Sequence, residues 1–379
     1  MDIETVGVEE EFLLVDPSSR LPVPLAVEVL DTARAGRVPV GASFQPELVR
    51  TQVEAATGIC AEMSTVEDHL GVLRDVLGRA ARTHHARIVS VGHPVLSDGP
   101  PPLTPGERFG RIHQRYAEIV GSYQSCGCHV HIGLPDRETA VAVLNHLRPW
   151  LPTLLALSAN SALTEGRDTG YDSWRMVTQA RFPGSGIPPY FTSATAYDRE
   201  VARLVDCGVL VDPDMTFWLA RPSSRYATLE VRAADAAATV EDALLQAALT
   251  RALVRTARAD LASGRAAPVV HDQVGAAAVW SAARHGLAGP AVDPVLGRQV
   301  PTKELLHQLL LRVRPALAET GDLPFVHRYV RHLLAAGTSA ARQRATYDQT
   351  KEPRAVVDML VTQTARTAPP PPFAADAPG

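Results

Sequence analysis

Hydrophobic and polar positions alternate near the start of the chain, a pattern typical of a β-strand. Residues 6–15 (VGVEEEFLLV) place Glu9 and Glu11 on one face and Glu10 on the other, apolar face. Alternation or short apolar runs predict four further strands, at 87–92, 126–134, 216–219 and 228–233. We expect these strands to pair mostly in an antiparallel manner.

Helical periodicity appears between and after these strands. It predicts helices at 64–85, 108–120, 138–163 (interrupted at Pro149 and Pro152), 240–262, 271–287, 303–319 and 325–336. Ser64 and Glu67 have the spacing of a capping box at the start of the first helix. The segment 166–190 is rich in Gly, Pro and polar residues, which predicts a long ordered loop of the kind that is often functional.

These elements predict an α+β fold, with a helical C-terminal half packed on one face of the sheet. We expect one domain over residues 1–365. The residues 366–379 are of low complexity and rich in Pro and Ala, which predicts a disordered tail.

Composition narrows the classes of function. Hydrophobic residues make up 46% of the 379, enough for a sizeable core, and charged residues make up 21%. The net charge of −4 lacks the basic excess of nucleic-acid-binding proteins, and no apolar run approaches the ~20 residues that cross a bilayer. The chain shows no signal-peptide pattern, and Cys60, Cys126, Cys128 and Cys207 have no zinc-site spacing. We therefore expect a cytoplasmic protein with reduced thiols and with no nucleic-acid or membrane partner.

Two pairs of acidic residues are candidates for metal binding. Glu9 and Glu11 would repel each other on one strand face unless a cation or donors intervene, and a hard cation such as Mg²⁺ prefers such oxygen ligands. A solvated acidic face of an edge strand explains the same two residues. Glu47 and Glu54 are seven positions apart, which puts them on one face of a helix but on opposite faces of a strand. A surface helix with scattered acids also explains that pair.

His129 and His131 share one face of the strand predicted at 126–134. Two adjacent imidazoles indicate a metal or phosphate site. The same His-x-His pattern occurs in zinc-dependent hydrolases, and histidines that are satisfied by ordinary hydrogen bonds beside a sheet explain it as well. The pattern alone leaves these three interpretations open.

Glu230 and Arg232 share a face of the strand at 228–233. They form either a plain salt bridge or, beside a metal-bound triphosphate, a pair in which Glu binds Mg²⁺ and Arg holds a phosphate. Arg175, within 166–190, could hold a phosphate in the same way or be an ordinary surface arginine. The chain has no Gly-x-x-x-x-Gly-Lys-[Ser/Thr] loop, so cations and arginines would have to bind the phosphates.

Six segments together resemble the motifs of the carboxylate–amine ligases of the glutamate–cysteine ligase type 2 group. They are GVEEEF, ELVRTQVEAATG, CGCHVHIG, GYDSWR, RPSSRYATLEVRAAD and AARQR, in the family's order from residue 6 to about residue 344. The resemblance implies a glutamine synthetase-like catalytic fold, in which an antiparallel sheet forms a funnel with helices on its outer face. It implies that 1–365 form a single ligase domain, with ATP at one end of the funnel, amino-acid substrates at the other, and Mg²⁺ or Mn²⁺ between them.

The resemblance also assigns roles by motif. It implies a set of metal ligands consisting of Glu9, Glu11, Glu47, Glu54, His131 and Glu230. Of these, Glu11, Glu47 and Glu54 would hold one ion, and Glu9, His131 and Glu230 another. Arg232 would bind the transferring phosphate and would act in catalysis with Glu54 and Glu230. The other nucleotide-binding candidates are Arg175, Arg221 and His129.

The implied reaction is ATP-dependent amide formation from a small carboxylate and an amine through an acyl phosphate, by a monomer or a homodimer. Cys128 and residues 184–189 depart from the family's pattern, which leaves the glutamate and cysteine identities of the substrates open. Two alternatives remain on the residues alone. One is a zinc-dependent hydrolase built on His129 and His131, and the other is a non-catalytic nucleotide-binding homologue.

Overall fold

An antiparallel sheet of seven strands lies at the centre of the protein, whose computed structural model describes residues 4–365. The strands of the chain are β1 (Val6–Val15), β2 (Ser43–Pro46), β3 (Gln52–Ala56), β4 (Arg87–Val89), β5 (Gly127–Gly133), β6 (Leu163–Thr164), β7 (Arg167–Asp168), β8 (Ala220–Pro222), β9 (Thr228–Asp235), β10 (Pro290–Asp293) and β11 (Arg298–Pro301). The central sheet has the order β2-β3-β1-β5-β9-β8, and β4 pairs with the end of β1. The prediction of an antiparallel α+β fold is confirmed.

Helices cover the sheet and make up most of the C-terminal half. They are α1 (Ala26–Arg34), α2 (Met63–Thr83), α3 (Glu107–Tyr116), α4 (Glu118–Gly121), α5 (Arg137–Leu147), α6 (Leu151–Ser158), α7 (Trp174–Gln179), α8 (Ala194–Asp206), α9 (Val240–Ala262), α10 (Asp272–His285), α11 (Thr302–Glu319), α12 (Leu323–Ala336), α13 (Ser339–Thr350) and α14 (Pro353–Ala365). The four predicted helices from 240 to 336 are confirmed. None of the described helices is long and apolar enough to cross a bilayer.

The apolar face of the sheet packs against these helices. Val8 and Val130 are buried in a core that includes Leu244 of α9, and Phe12 is buried in a second core with residues of α1 and α2. Each such side chain contributes roughly 1.5–3 kcal/mol by leaving water. Because side chains alternate along a strand, the residues between these positions point to the opposite face, where the sheet borders a cavity.

Glu10 lies on the apolar face, where its charge is neutralised by Arg74 of α2. Arg74 Nε donates to Glu10 Oε2 at 2.9 Å and Nη2 donates to Oε1 at 2.5 Å, with both side chains at most 1% exposed. The same guanidinium donates to the carbonyls of Ala237 and Ala238, which connect β9 to α9. This network ties the strand that carries Glu9 and Glu11 to the helical layer behind it.

The predicted capping box at Ser64 and Glu67 is wrong. The helix α2 already begins at Met63, after an extended Glu62, and its N-cap makes no side-chain hydrogen bond. A capping box is instead found at α9, where Thr239 and Asp242 exchange hydrogen bonds with each other's backbone N–H groups. Local sequence matches the box at both places, but the path of the chain into the helix decides where the helix begins.

Other predicted elements also have different boundaries. The helix predicted at 138–163 is divided into α5 and α6 and ends at Ser158, and the strand predicted at 87–92 ends at Val89. The segment 216–219 is not a strand, because Trp218 makes only an isolated bridge to Gly186 and the strand β8 begins later, at Ala220. The predicted loop 166–190 contains β7 and α7, and the Ser173 side chain caps α7. The helix predicted at 108–120 is divided into α3 and α4 by Ala117, which has a positive φ of 46°. A single domain over 1–365 stays a prediction, and the predicted tail 366–379 lies outside the described residues.

Candidate active site

Strand register brings the candidate residues of distant segments side by side. Glu11 of β1 is directly opposite Glu54 of β3, and Glu9 is opposite His129 of β5. On the other side of β5, His131 is opposite Glu230 of β9. Facing residues in an antiparallel pair have their Cβ atoms about 4.5–5.5 Å apart, so their polar groups meet on the cavity side of the sheet.

Glu47 joins this group by a route that differs from the predicted one. The sequence spacing predicts that Glu47 and Glu54 share a helix face, but no helix is present there. The strands β2 and β3 form a hairpin with Gln45 opposite Glu54, and Glu47 lies in the connection just after β2. The turn of the hairpin, not helical periodicity, therefore brings the two carboxylates together.

Ligand atoms of these residues form three sets among the described residues, each with its atoms within 4.8 Å of one another. The sets are Glu11, Glu47 and Glu54; Glu9, His131 and Glu230; and Glu9, Glu54 and His129. The first two have the same members as the two groups that the family resemblance implies. The third set contains His129, which the resemblance places at the nucleotide, so its contact with a phosphate stays a prediction.

The set of Glu11, Glu47 and Glu54 brings three buried carboxylates close together, so the ionisation of all three is unfavourable. Burial and then the neighbouring Glu47 raise the pKa of Glu11 to about 8. Burial and the carboxylates around it raise the pKa of Glu54 well above its usual value, and burial also raises that of Glu47. In the absence of a cation, the physical resolution of this repulsion is proton uptake.

The set around Glu9 is balanced differently. Burial opposes ionisation of Glu9, but hydrogen bonds with His129 and His131 outweigh it and lower the pKa of Glu9. His129 Nδ1 lies 3.3 Å from Glu9 Oε2, and His131 Nε2 lies 3.2 Å from Glu9 Oε1. Burial and Arg232 lower the pKa of His129 to about 4, so its ring is neutral and is available as a ligand.

Glu230 is held between two arginines. Arg221 Nε donates to Glu230 Oε2 at 2.7 Å, and Arg232 Nη1 donates to Oε1. Although burial opposes ionisation, Arg232 and then Arg221 hold the pKa of Glu230 well below its usual value. Arg221 also donates to the carbonyls of Asp214 and Thr216 and is therefore fixed in place, whereas Arg232 has a buried Nε with no hydrogen-bond partner.

Arg175 is not a surface residue, because its side chain is only 3% exposed at the cavity wall. Its Nη1 lies 3.8 Å from Asp235 Oδ1, and its Nε has no hydrogen-bond partner. Asp235 in turn accepts hydrogen bonds from the hydroxyls of Ser161 and Ser173. Asp235 was not among the predicted site residues, although it closes the RPSSRYATLEVRAAD segment.

Gly127 is a second residue that the sequence did not single out. Its N–H donates to Glu11 Oε2 at 2.5 Å. A Cβ at this position would lie 2.6 Å from Arg175 Nη2 and 2.9 Å from His129 Nε2, so a side chain there would displace these two groups of the site. The two cysteines of the CGC segment flank this glycine and are both buried away from solvent.

The cavity in front of these residues has a volume of about 360 Å³. Its mouth beside His131 is polar and includes Ser223, Arg225 and Tyr226. Another part of its lining is formed by Tyr123 and by further apolar side chains, namely Phe109, Ile112, Phe182, Met215 and Phe217. These apolar residues lie outside the polar motifs, so the pattern of the sequence gave no sign of their role.

The family is shown by sequence comparison. The family model described as glutamate-cysteine ligase family 2 matches residues 5–359. The chain belongs to glutamate–cysteine ligase family 2. A protein of Saccharopolyspora erythraea with the provisional name glutamate–cysteine ligase 2-2 is 54% identical over 364 residues, which cover 95% of this chain and 92% of that protein. A protein of Nocardia farcinica with the provisional name glutamate–cysteine ligase 2-1 is 44% identical, with 96% and 94% covered.

Solved structures show the same fold for this family 2 chain. The glutamate–cysteine ligase of Francisella tularensis, determined in complex with AMP, superposes with a TM-score of 0.70 at 14% identity, over 96% of this chain and 89% of that enzyme. A bifunctional glutathione synthetase of Pasteurella multocida also gives 0.70, at 15% identity, and the chain spans about half (52%) of its length. The predicted glutamine synthetase-like ligase fold is confirmed.

We expect the stability of the metal-free family 2 chain to fall as the pH rises from 6.5 to 8. The pKa of Glu11 is raised to about 8. Burial lowers the pKa of His131, but the hydrogen bond and the charge of Glu9 outweigh burial and raise this pKa above its usual value. The folded state then binds more protons than the unfolded state, at a cost of about 1.4 kcal/mol per pH unit for each extra proton. Thermal unfolding in EDTA should show this slope, and Glu11→Gln should reduce it. An equal slope in Glu11→Gln would contradict the assignment.

Proposed function

We propose that this chain is an ATP-dependent carboxylate–amine ligase that activates its acid as an acyl phosphate. A carboxylate oxygen of the acid attacks the γ-phosphorus of ATP, and ADP leaves. The amine nitrogen then attacks the acyl carbon, the carbon–oxygen bond to phosphate breaks, and a carboxylate of the cavity accepts the proton that the nitrogen loses. The observation that supports this most is the meeting of three metal-ligand sets with Arg232 in one cavity of a family 2 chain.

The donor atoms suit Mg²⁺ or Mn²⁺. Each set has two or three carboxylates and at most one imidazole, which favours hard divalent cations over Zn²⁺. His129 and His131 belong to different sets, so they do not form the two-histidine site that a zinc hydrolase requires. His129 has a buried Nε2 without a hydrogen-bond partner, as expected of a ligand nitrogen, and His131 Nε2 faces the carboxylate of Glu9 in its set. When bound, divalent cations supply charge neutralisation at the triphosphate.

The arginines divide the remaining work. Arg232, with a free buried Nε beside the ligand sets, is placed to hold the transferring phosphoryl group and to stabilise the charge that develops on it. Arg221 fixes the orientation of Glu230 and borders the polar mouth of the cavity. Arg175 has unpartnered N–H groups at the cavity wall, which suits a carboxylate or phosphate of a bound substrate.

Substrates are the open part of the proposal. Relatives carry provisional names as glutamate–cysteine ligases, so L-glutamate and L-cysteine are the first pair to test. A cytoplasmic location and a homodimer stay predictions from the sequence.

The experiment is a screen of ADP release from ATP over acids and amines. We expect at least one pair to release ADP and form an amide, and EDTA to reduce the rate by roughly a hundredfold or more, with Mg²⁺ or Mn²⁺ restoring it. Unimpaired turnover in EDTA would overturn the metal-dependent mechanism. Hydrolysis without ATP in a zinc-loaded sample would favour the hydrolase, and nucleotide binding without any ADP release would favour a non-catalytic homologue.

A further inference from the structure

One part of the cavity lining is polar and another part is aromatic. The polar part has the Arg221 and Arg225 guanidinium groups together with the serines of the turn between β8 and β9. The aromatic wall consists of rings on α3, on the segment before β5 and on the residues around α7 and β8. There Phe182 and Phe217 are stacked with centroids 4.1 Å apart, and Tyr123 meets Phe182 edge-on at 4.9 Å.

We propose that the aromatic wall binds the amine substrate, and that this amine carries an apolar body, preferably an aromatic ring. The inference deepens the proposed ligase function and rests on it. The rings of Tyr123, Phe182 and Phe217 would contact the body of the amine, while its nitrogen points to the carboxylates of β1 and β3.

Charge explains why the amine would bind at the aromatic wall. The triphosphate and the carboxylate of the acid are anions, which favour the arginines and bound cations. The amine must instead attack as a neutral free base, and a low-dielectric environment favours the neutral form of an amine over the ammonium ion. The aromatic wall is the part of the lining that meets this requirement.

Position supports the same assignment. Tyr123, Phe182 and Phe217 line the same cavity as Glu11 and Arg232. The aromatic wall and the ligand sets are therefore parts of one cavity and not of separate pockets. An amine on this wall has its nitrogen beside the place where the activated acid must form.

The shape of the wall favours a ring over a small side chain. Phe182 is buried beneath the wall, whereas Tyr123 and Phe217 are part-buried and keep surface toward the cavity. Aromatic pairs prefer stacked or edge-to-face contacts with centroids about 4.5–7 Å apart, which a substrate ring can make with these two residues. A cysteine-sized side chain would leave much of this apolar surface in contact with water.

The test compares amines of one series with the acid that gives the most ADP release. With ATP and Mg²⁺, kcat/KM should be at least about tenfold higher for L-phenylalanine or phenethylamine than for L-cysteine or L-alanine. Phe217→Ala should raise the KM of the aromatic amine by about tenfold and leave the KM of ATP and of the acid unchanged. Phe217→Leu, which keeps an apolar contact, should recover part of the loss.

Phe325→Ala is the matched control, because Phe325 stacks on Tyr329 of α12 and does not line the cavity. It should leave the KM of every substrate unchanged. A preference for L-cysteine, together with an unchanged amine KM in Phe217→Ala, overturns this inference and leaves the ligase function in place. No ADP release with any acid–amine pair removes the ligase function and this inference with it.

Discussion

Glu54→Gln is expected to reduce metal-dependent ADP formation by roughly a thousandfold while the protein stays folded. Glu54 belongs to two of the three ligand sets, so losing its charge weakens two cation sites at once. Amide and carboxylate have nearly the same shape, so packing against β1 and β2 should be kept. Steady-state ADP release at saturating Mg²⁺, with amide product measured in parallel, checks the prediction.

Glu54→Gln is also expected to have an unusual effect on the thermal stability of the metal-free protein. Burial and then the carboxylates of Glu9 and Glu47 disfavour the charge on Glu54 and raise its pKa, so a neutral amide removes repulsion in the metal-free protein. The melting temperature of Glu54→Gln in EDTA should therefore equal or exceed that of the parent. Glu352→Gln, at an exposed position on the connection before α14, is the matched control and should change neither activity nor stability. Near-full activity in Glu54→Gln would remove Glu54 from the metal ligands.

Arg74→Ala is expected to lower the free energy of unfolding by about 3–5 kcal/mol. The substitution leaves the Glu10 carboxylate, which is 1% exposed, without its counter-charge inside the apolar layer. It also removes the donor from the carbonyls of Ala237 and Ala238. Denaturant titration of the metal-free protein measures this change without interference from cation binding.

Arg79→Ala on the same helix provides the control, because the Arg79–Asp75 pair is exposed to solvent. Its loss should cost less than about 1 kcal/mol. The double substitution Arg74→Met with Glu10→Leu should regain most of the stability, because both charges are then absent. If Arg74→Ala costs no more than Arg79→Ala, the buried pair does not hold β1 against the helical layer.

The alternation of polar and apolar residues along single strands was enough to predict which side chains share a face of the sheet. The same-face pairs Glu9 with Glu11, and Glu230 with Arg232, follow from the period of two alone, and both pairs face the cavity. The long helices with sustained periodicity were also predicted, at α9 to α12. Elements with short or weak patterns were missed or misplaced, including β2, β3 and β8, because three to five residues carry too little periodicity.

The roles of the candidate site residues stay predictions, but the structure shows which of these residues lie together. The six implied ligands all line one cavity. The pairing of Glu47 with Glu54 was explained wrongly, since it depends on a hairpin that the spacing does not reveal. Likewise, the spacing of His129 and His131 does not reveal that the two histidines belong to two different ligand sets, which share Glu9.

The sequence by itself determined the α+β class, the polar pairs on each strand and, through its motifs, the family. Local rules suffice for these features because they depend on neighbours within a few residues. Only the tertiary structure decided which strands lie side by side, that Arg74 neutralises Glu10, and that Tyr123, Phe182 and Phe217 meet in one wall of the cavity. Those contacts join residues far apart in the chain, and their energies depend on burial and on distances between atoms that no local pattern encodes.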